Sequence, residues 1–239
     1  MHRIFISDLH LASVESPQFA ALGALLEREG PRVDEIYLLG DLCEAWVGDD
    51  DDGPLATQLA RLLSSTSKHC LVAMLHGNRD FLLGQDFASR CQLKLLEDLQ
   101  PLDTNTAVAH GDQFCVDDAQ YQQLRRTLRS PQWQQEVLAK PLAERRQLAQ
   151  ALRAQSMHSN ANKPQNIMDV NVAEIHRQIA GLSVQWLIHG HTHRPGVHRH
   201  EWGLRYVLGD WAHCGWLVRQ QGLTTPQLEC FPLADRYEI

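Results

Sequence analysis

Five short motifs along the chain carry side chains of the kinds that bind divalent cations. They are Asp8-Leu9-His10, Gly40-Asp41, Gly77-Asn78-Arg79-Asp80, His110-Gly111-Asp112 and His189-Gly190-His191-Thr192-His193. Carboxylates, an amide oxygen and neutral imidazoles, without thiolates, are typical ligands of Mn²⁺, Fe²⁺ or Zn²⁺. Each motif alone occurs often by chance, but all five in one chain predict a site for two cations. Two cations about 3.5–4 Å apart can hold a phosphoryl group and lower the pKa of a nearby water molecule.

Each motif adjoins an apolar segment with the length and composition of a buried β-strand. The predicted strands are Arg3–Ser7, Glu35–Leu39, Cys70–Leu75, Thr106–Ala109, Val184–Ile188, Leu204–Leu208, Gly215–Val218 and Gln227–Phe231. The predicted helices are Pro17–Arg28, Leu55–Leu63 and Val170–Ile179. Such alternation indicates an α/β fold, in which ligands bind beyond the carboxyl ends of the strands. We therefore expect the five motifs to meet in one cleft.

The segment from residue 118 to about residue 165 differs from the rest of the chain. It lacks strand patterns, and Pro131 and Pro141 stand where new helices could begin, so we predict a helical insertion. Between Asp118 and Ser156 seven basic residues accompany three acidic ones, a local balance of +4 in a chain of net charge −7. The basic side chains could steer an anionic substrate or meet an anionic membrane surface. The leucines could line a groove for acyl chains or simply pack the insertion onto the main domain; they are Leu124, Leu128, Leu138, Leu142, Leu148 and Leu152.

The composition argues against several classes of protein. A net charge of −7 disfavours general nucleic-acid binding, and the six cysteines form no CxxC pair that would indicate a cysteine zinc site. The chain has no run of 18 apolar residues, and Asp8 and His10 come too early for a secretory signal. We expect a reducing, cytoplasmic setting, with no nucleic-acid partner and no evident protein partner. The acidic run Asp49–Asp52 is expected to be a solvated loop.

In this order, the motifs DLH, GD, GN, HGD and GHTH resemble those of the calcineurin-like metallophosphoesterases. Longer segments resemble the branch of that family that acts in lipid A biosynthesis, over nearly the whole chain: GDLCEAWVGDDDD, HGNRDFLLG, FCVDDAQYQ, NIMDVN and WLIHGHTHRP. The resemblance implies a single domain, 1–239, built as a four-layered αββα sandwich of two mixed sheets with a helical cap at about 118–165. It implies a Mn²⁺-dependent pyrophosphatase, peripheral on the cytoplasmic face of the inner membrane. The substrate would be a nucleotide-lipid, UDP-2,3-diacylglucosamine, split into UMP and 2,3-diacylglucosamine 1-phosphate.

The same resemblance implies roles for individual residues. Two Mn²⁺, or other divalent transition metals, would be bound, with Asp41 as the bridge between them. One cation would be held by Asp8, His10, Asp41 and His193, and the other by Asp41, Asn78, His110 and His191. Substrate contacts would come from Asn78, Arg79, Asp118, Ser156, Asn160, Lys163 and His191, and catalytic roles from Asp41, Asn78, Arg79, His110 and His191. One departure from the family is Cys43, where Phe is expected, and it leaves the ligand set intact.

Arg79 narrows the expected chemistry. Many phosphomonoesterases of the family carry His here, and that His can protonate an alkoxide leaving group. Arg cannot, because its pKa exceeds 12, so Arg79 favours a leaving group that departs as a stable anion, such as the phosphate of a pyrophosphate. Three alternatives stay open: an Arg79–Asp80 ion pair without a role in catalysis, a general phosphodiesterase on the same metal site, and a non-catalytic scaffold of this fold.

Overall fold

The structure is a computed structural model that describes residues 1–161 and 167–233, without the side chains of residues 159–161. The strands are β1 (His2–Ile6), β2 (Glu35–Leu38), β3 (Leu71–Met74), β4 (Lys94–Leu95), β5 (Leu99–Pro101), β6 (Thr106–Ala109), β7 (Trp186–His189), β8 (Gly196–His200), β9 (Gly203–Val207), β10 (Cys214–Gln221) and β11 (Gln227–Pro232). The helices are α1 (Pro17–Glu29), α2 (Pro54–Thr66), α3 (Gln85–Cys91), α4 (Ala119–Leu128), α5 (Pro131–Leu138), α6 (Leu142–Ala161) and α7 (Val172–Ile179).

The described strands form two mixed sheets. The first sheet has the order β11-β10-β1-β2-β3-β4, and the second has the order β5-β6-β7-β9-β8. Within the first sheet β1 to β4 run parallel, and within the second β6, β7 and β9 run parallel. The remaining strands pair antiparallel at the outer positions. The carboxyl ends of the parallel strands therefore share one edge of each sheet, and the predicted ligand motifs follow at these ends.

Alternation of side chains along the strands explains why the molecule has four layers. In β1, Ile4 and Ile6 join a core shared with α1, α2 and α3, whereas Phe5 faces the opposite way. Phe5 packs in a core between the sheets with side chains such as Ile188 of β7. On the far side of the second sheet, α7 contributes Ile175 to a third core. Burying one such side chain stabilises the fold by ~1.5–3 kcal/mol. The order of layers confirms the predicted αββα sandwich.

The segment between β6 and α7 contains three helices, α4 to α6, in its described part, and we call them the cap helices. Asp118 begins α4 by accepting a hydrogen bond from the backbone N–H of Tyr121 at 3.0 Å. Ser130 begins α5 in the same way, accepting from Trp133 at 3.4 Å, with Pro131 in the first turn. Each such cap contributes ~1 kcal/mol to helix stability. That the cap helices and the sandwich form a single domain remains a proposal.

Ion pairs attach the cap helices to the sandwich. Arg145 of α6 is 3% exposed and contacts Asp50, and the neighbouring Arg146 contacts Asp51 at 2.7 Å. Asp49 accepts two backbone N–H groups at the beginning of α3, at 2.8 and 2.9 Å. Residues 49–52 form a loop, as predicted, with Asp50 and Asp52 exposed, but three of its four carboxylates have partners within the protein. Their partners lie 35 to 95 residues away along the chain, so the local sequence gives no sign of them.

Four elements were not predicted from the sequence: α3, β8 and the short strands β4 and β5. The helix α3 is only seven residues long, and β8 is an edge strand whose side chains are mostly exposed, so neither shows a clear apolar pattern. His198 and His200 lie on β8, and neither belongs to a group of candidate metal ligands among the described residues. Within residues 1–161 and 167–233, no helix has the length and apolar character that crossing a membrane requires.

Candidate active site

The five predicted motifs occupy loops that leave the carboxyl ends of β1, β2, β3, β6 and β7. Two glycines allow these loops to approach one another closely. A Cβ atom at Gly77 would lie 2.1 Å from Asp41 Oδ1, and one at Gly190 would lie 2.0 Å from Asp8 Oδ2. The backbone N–H of His191 donates to Asp8 Oδ2 at 2.9 Å, so the first and last motifs are directly joined. Glycine is needed at both positions because any side chain would collide with a carboxylate.

Five of the predicted ligands have an unusual backbone conformation. The φ angles of Asp8, His10, Asp41, His191 and His193 lie between 50° and 68°. Residues other than glycine rarely adopt this left-handed region, which costs on the order of 1–3 kcal/mol for each residue. In the part of the chain that the structure describes, one further non-glycine residue has a positive φ. Such conformations concentrate at functional sites, so the backbone singles out residues that the motifs had already indicated.

The first cluster of ligand atoms combines the first and last motifs. The Nε2 atom of His193 lies 3.4 Å from Asp8 Oδ1 and 3.2 Å from His10 Nε2. Asp8, His10 and His193 each offer one atom, all within 4.8 Å of one another, so the three could hold a metal ion. Asp8 is completely buried, whereas His193 is partly exposed, so the cluster faces a cleft.

The second cluster is centred on Asn78. Its side-chain oxygen lies 3.1 Å from His110 Nε2 and 2.9 Å from His191 Nδ1. Asp41 connects this cluster to the first, because its Oδ1 lies 3.8 Å from His110 Nε2 and its Oδ2 lies 4.0 Å from His10 Nε2. Asp8, Asp41 and His110 also offer ligand atoms within 4.8 Å of one another. The structure thus brings all seven predicted metal ligands together, with Asp41 between the two groups.

The electrostatics of both clusters fit bound cations. Burial lowers the pKa of His10 to about 4 and that of His191 to about 3, so both rings are neutral near pH 7 and offer a lone pair. Burial raises the pKa of Asp41 to about 7, and a nearby cation would lower it again. Asp8 Oδ1 is buried without a hydrogen-bond partner among the described residues. Buried carboxylates that face neutral imidazole nitrogens form a suitable site for a positive ion.

Asp210 contacts the first cluster, although sequence reasoning did not select it. Its Oδ2 lies 3.5 Å from Nδ1 of His193, on the side of the ring away from Asp8. Burial alone would lower the pKa of His193, but the nearby carboxylates of Asp210 and Asp8 raise it to about 10. If His193 bound a metal cation instead of its second proton, the same two carboxylates would stabilise that cation. A carboxylate on the far nitrogen orients a ligating histidine and makes it more basic. The sequence did contain one sign of this role, because Asp210 follows the strand β9 at the same edge of the sheet as the other motifs.

Arg79 does not pair with its neighbour Asp80. The Asp80 carboxylate is buried and accepts backbone N–H groups from Leu42 and Gly77, both at 2.7 Å. The guanidinium of Arg79 instead lies 3.7 Å from Glu44, and its backbone N–H donates to Asp41 Oδ1 at 2.8 Å. These contacts exclude the alternative that Arg79 and Asp80 form a structural ion pair.

Three cavities lined by described residues meet beside Arg79. The apolar groove lies between the cap helices and the loops after β2 and β3, and it is lined by Trp46, Phe81, Leu124, Leu128, Trp133, Leu148 and Leu152, among others. The polar cleft lies over the second cluster and is lined by Asn78, Cys115, Asp118, Tyr121, Ser156, Met168, His191 and Arg194, among others. The side cleft lies beside the first cluster and is lined by Leu9, Gln18, Asp210, Trp211 and Ala212, among others.

The residues predicted to contact substrate are placed as follows. Arg79 and Ser156 line both the apolar groove and the polar cleft, and Asp118 lines the polar cleft. Lys163 lies outside the described residues, and the side chain of Asn160 is not described, so both remain predictions. Of the six leucines proposed for an acyl groove, four line the apolar groove: Leu124, Leu128, Leu148 and Leu152.

Asp112, the last residue of the HGD motif, anchors the cap helices beside the site. Its buried carboxylate accepts hydrogen bonds from Tyr121 Oη and Arg125 Nε, both at 2.7 Å, and from Arg129 Nη2 at 3.5 Å. Burial would raise the pKa of Asp112, but Arg125 and other nearby cationic groups hold it well below its usual range. The Tyr121 ring in turn stacks on His191, with centroids 5.9 Å apart. Sequence reasoning missed both Asp112 and Tyr121 in these roles.

His189, the first residue of the last motif, has a structural position. Its Nδ1 lies 2.9 Å from the Gly190 carbonyl oxygen, and its Nε2 lies 3.1 Å from Arg205. Both ring nitrogens are therefore engaged away from the two clusters, and the ring is completely buried.

Comparison with known proteins agrees with this fold and shows the family of the chain. Residues 1–195 match the calcineurin-like phosphoesterase family, and the chain belongs to that family. A protein of Cellvibrio japonicus named UDP-2,3-diacylglucosamine hydrolase is 42% identical over 226 residues, which cover 91% of this chain and 94% of that protein. A protein of Salmonella typhi with the same name is 41% identical over 244 residues, covering 98% of this chain and 100% of that protein. Among solved structures, an archaeal phosphodiesterase shares the fold, with a TM-score of 0.50 at 10% identity over 97% of this chain and 100% of that chain.

Proposed function

We propose that this protein hydrolyses the pyrophosphate bond of UDP-2,3-diacylglucosamine, giving UMP and 2,3-diacylglucosamine 1-phosphate (lipid X) in lipid A biosynthesis. The names of relatives that are 41–42% identical over nearly the whole chain support this substrate. The observation that carries the proposal is that an apolar groove opens directly onto Asn78 and Arg79, beside the two clusters of ligand atoms.

The apolar groove suits acyl chains. It encloses about 860 Å³ of empty space, part of it open to solvent. Leucines of the cap helices and the rings of Trp46, Phe81 and Trp133 form most of its wall. Each acyl methylene buried there would contribute ~0.8 kcal/mol to binding. A general phosphodiesterase would have no need for such a groove.

The residues of the two clusters would hold two Mn²⁺ as the sequence predicted, with Asp8, His10, Asp41 and His193 around one and Asp41, Asn78, His110 and His191 around the other. Cations bound there would polarise phosphoryl oxygens and lower the pKa of water. The backbone N–H of Arg79 fixes the orientation of Asp41 between the groups. The Arg79 guanidinium would bind phosphate oxygens through paired hydrogen bonds, and it keeps its proton throughout, which a phosphate leaving group permits.

We further propose that the protein works at the cytoplasmic face of the inner membrane, bound peripherally. Two apolar side chains of the cap helices are well exposed, Leu138 at 42% and Met157 at 60%. Six of the seven basic residues of this region contact carboxylates within the protein: Arg125, Arg129, Lys140, Arg145, Arg146 and Arg153. Membrane contact would therefore depend on apolar side chains more than on unpaired basic charge.

Initial rates on three substrates test the proposed function. UDP-2,3-diacylglucosamine is the proposed substrate; UDP-N-acetylglucosamine has the same nucleotide and pyrophosphate without two long acyl chains; bis-p-nitrophenyl phosphate is a general diester. With Mn²⁺ present, we expect kcat/KM for the diacyl substrate to exceed that for the other two by at least about 100-fold, equivalent to ~2.8 kcal/mol. Preference for the diester would reject the proposal in favour of a general phosphodiesterase. No turnover of any of the three, with no Mn²⁺ bound, would favour a non-catalytic scaffold.

A further inference from the structure

We propose that the side cleft binds the nucleotide half of the substrate, as a site for a uridine monophosphate group. This inference rests on the proposed function, because only a substrate with a nucleotide half requires such a site. The side cleft and the polar cleft share His10, Arg79 and His193. A pyrophosphate held at those three residues would therefore extend into both clefts.

The lipid half has a clear location in the apolar groove. Asn78, Tyr121 and Ser156 line both the apolar groove and the polar cleft, so a sugar in the polar cleft would place its acyl chains in the groove. The side cleft meets the groove at Glu44, Arg79 and Arg153, but Gln18 and Ala212 line the side cleft and not the groove. Gln18 comes from α1, and Ala212 belongs to the loop that follows β9 and leads to β10. The nucleotide would leave the pyrophosphate toward these two residues.

The lining of the side cleft suits a nucleotide better than a lipid. Arg79 and Arg153, which both contact Glu44 in the same lining, can donate hydrogen bonds to a phosphate, and the Asp210 carboxylate is 38% exposed, where it can accept a hydrogen bond from a ribose hydroxyl group. Gln18 supplies a side-chain amide, half-buried and bonded to the backbone oxygen of Trp211 at 3.1 Å. A pyrimidine ring offers the carbonyl oxygens and N–H group that such side chains bind.

Two further observations favour an occupant of this kind. Trp211 lines the side cleft, and its buried indole N–H has no hydrogen-bond partner among the described residues, although such groups usually have one. The cleft encloses about 570 Å³ of empty space, part of it open to solvent, and its lining is poor in leucine. Leu9 is the single leucine in its lining, whereas the apolar groove has five.

Two tryptophan substitutions can separate the two halves of the substrate. Ala212→Trp places a large ring in the side cleft, at an exposed position that belongs to no core. Leu152→Trp is the matched control, because it fills the apolar groove instead. Equilibrium binding of UMP and of 2,3-diacylglucosamine 1-phosphate would be measured by calorimetry for each Mn²⁺-loaded protein. We expect Ala212→Trp to weaken UMP by at least about tenfold, equivalent to ~1.4 kcal/mol, and to leave the lipid product within about twofold. Leu152→Trp should show the reverse pattern.

Unchanged UMP affinity in Ala212→Trp, or a loss of UMP affinity in Leu152→Trp, would overturn the nucleotide site. If Ala212→Trp does not fold, Gln18→Ala gives the same test, with UMP binding expected to weaken and lipid binding to stay constant. The proposed function has a separate outcome. If the wild-type protein hydrolyses UDP-2,3-diacylglucosamine but Ala212→Trp binds UMP normally, the nucleotide site alone is rejected. If the wild-type protein is inactive on that substrate, both the nucleotide site and the proposed function are rejected.

Discussion

Replacing Asp112 by Asn is expected to destabilise the protein strongly, because Asp112 anchors the cap helices. The side chain of Asp112 is 1% exposed, and Arg125 and Arg129 both pair with it. Removing one partner of a buried ion pair costs ~3–5 kcal/mol, since the other charge is left uncompensated. Asp98 still contacts both arginines, so we expect a loss of ~3 kcal/mol, at the lower end of that range. For a chain of this length the loss would lower Tm by roughly 6–12 °C.

Asp98→Asn is the matched control, because Asp98 binds the same two arginines but is 47% exposed. An exposed ion pair contributes less than ~1 kcal/mol, so Tm should fall by a few degrees at most. Thermal and urea unfolding of both variants would give the free energies of unfolding, and KM for the diacyl substrate would report the state of the cap. A fall in Tm for Asp112→Asn that is no larger than for Asp98→Asn would refute the role of Asp112 as the anchor.

Three more substitutions test the site and the fold. Asp41→Ala should abolish turnover while circular dichroism shows the fold retained; near-normal turnover would contradict a bridging role. Asp210→Asn should weaken Mn²⁺ binding by ~10–100-fold, because it removes the carboxylate that contacts Nδ1 of His193. A Mn²⁺ titration followed by electron paramagnetic resonance measures this affinity, and an unchanged affinity would contradict the role of Asp210. Burial alone would raise the pKa of Glu29, but the ion pair with Arg219 has the larger effect, and the pKa is lowered. The pair therefore stabilises the fold above about pH 4.5, and this stabilisation is lost as the pH falls and Glu29 becomes protonated. Glu29→Gln should therefore lose less stability than wild type between about pH 5 and pH 3; equal losses would argue against the pair.

The sequence could bring the candidate metal ligands together because strand, turn and ligand are adjacent along the chain. Asp8 and His10 directly follow a strand, and Asp41 follows the next, so local patterns were enough to place them at one edge of a sheet. The positive φ angles at these residues could not be read from the sequence, because Asp and His can adopt either conformation. Tertiary contacts impose the strained form, such as the bond from the His191 N–H to Asp8.

The parts that the sequence did not predict depend on contacts between distant segments. Arg125 and Arg129 were read as basic charge available to a substrate or a membrane, yet Asp98 and Asp112 neutralise them. The sequence does not show whether an arginine is free or paired. The net charge of a segment therefore overstates the positive charge that its surface presents to a substrate or a membrane. Asp210 was missed for a related reason. Its motif, Gly-Asp-Trp, has no second ligand beside it, and its role comes from the position of His193.

The helix α4 joins recognition of the lipid to the geometry of the ligands. Leu124 and Leu128 line the apolar groove, while Tyr121, one turn earlier, stacks on His191 and is bonded to Asp112. Acyl chains that press on the leucines would therefore also hold Tyr121 against a predicted metal ligand. Binding energy from a remote part of a substrate can be used in this way to order the reacting centre, in which case truncation lowers kcat and not only the affinity. Substrates with progressively shorter acyl chains should show a falling kcat in the wild-type protein. A rise in KM at constant kcat would mean that the groove only binds the lipid and that α4 transmits nothing to His191.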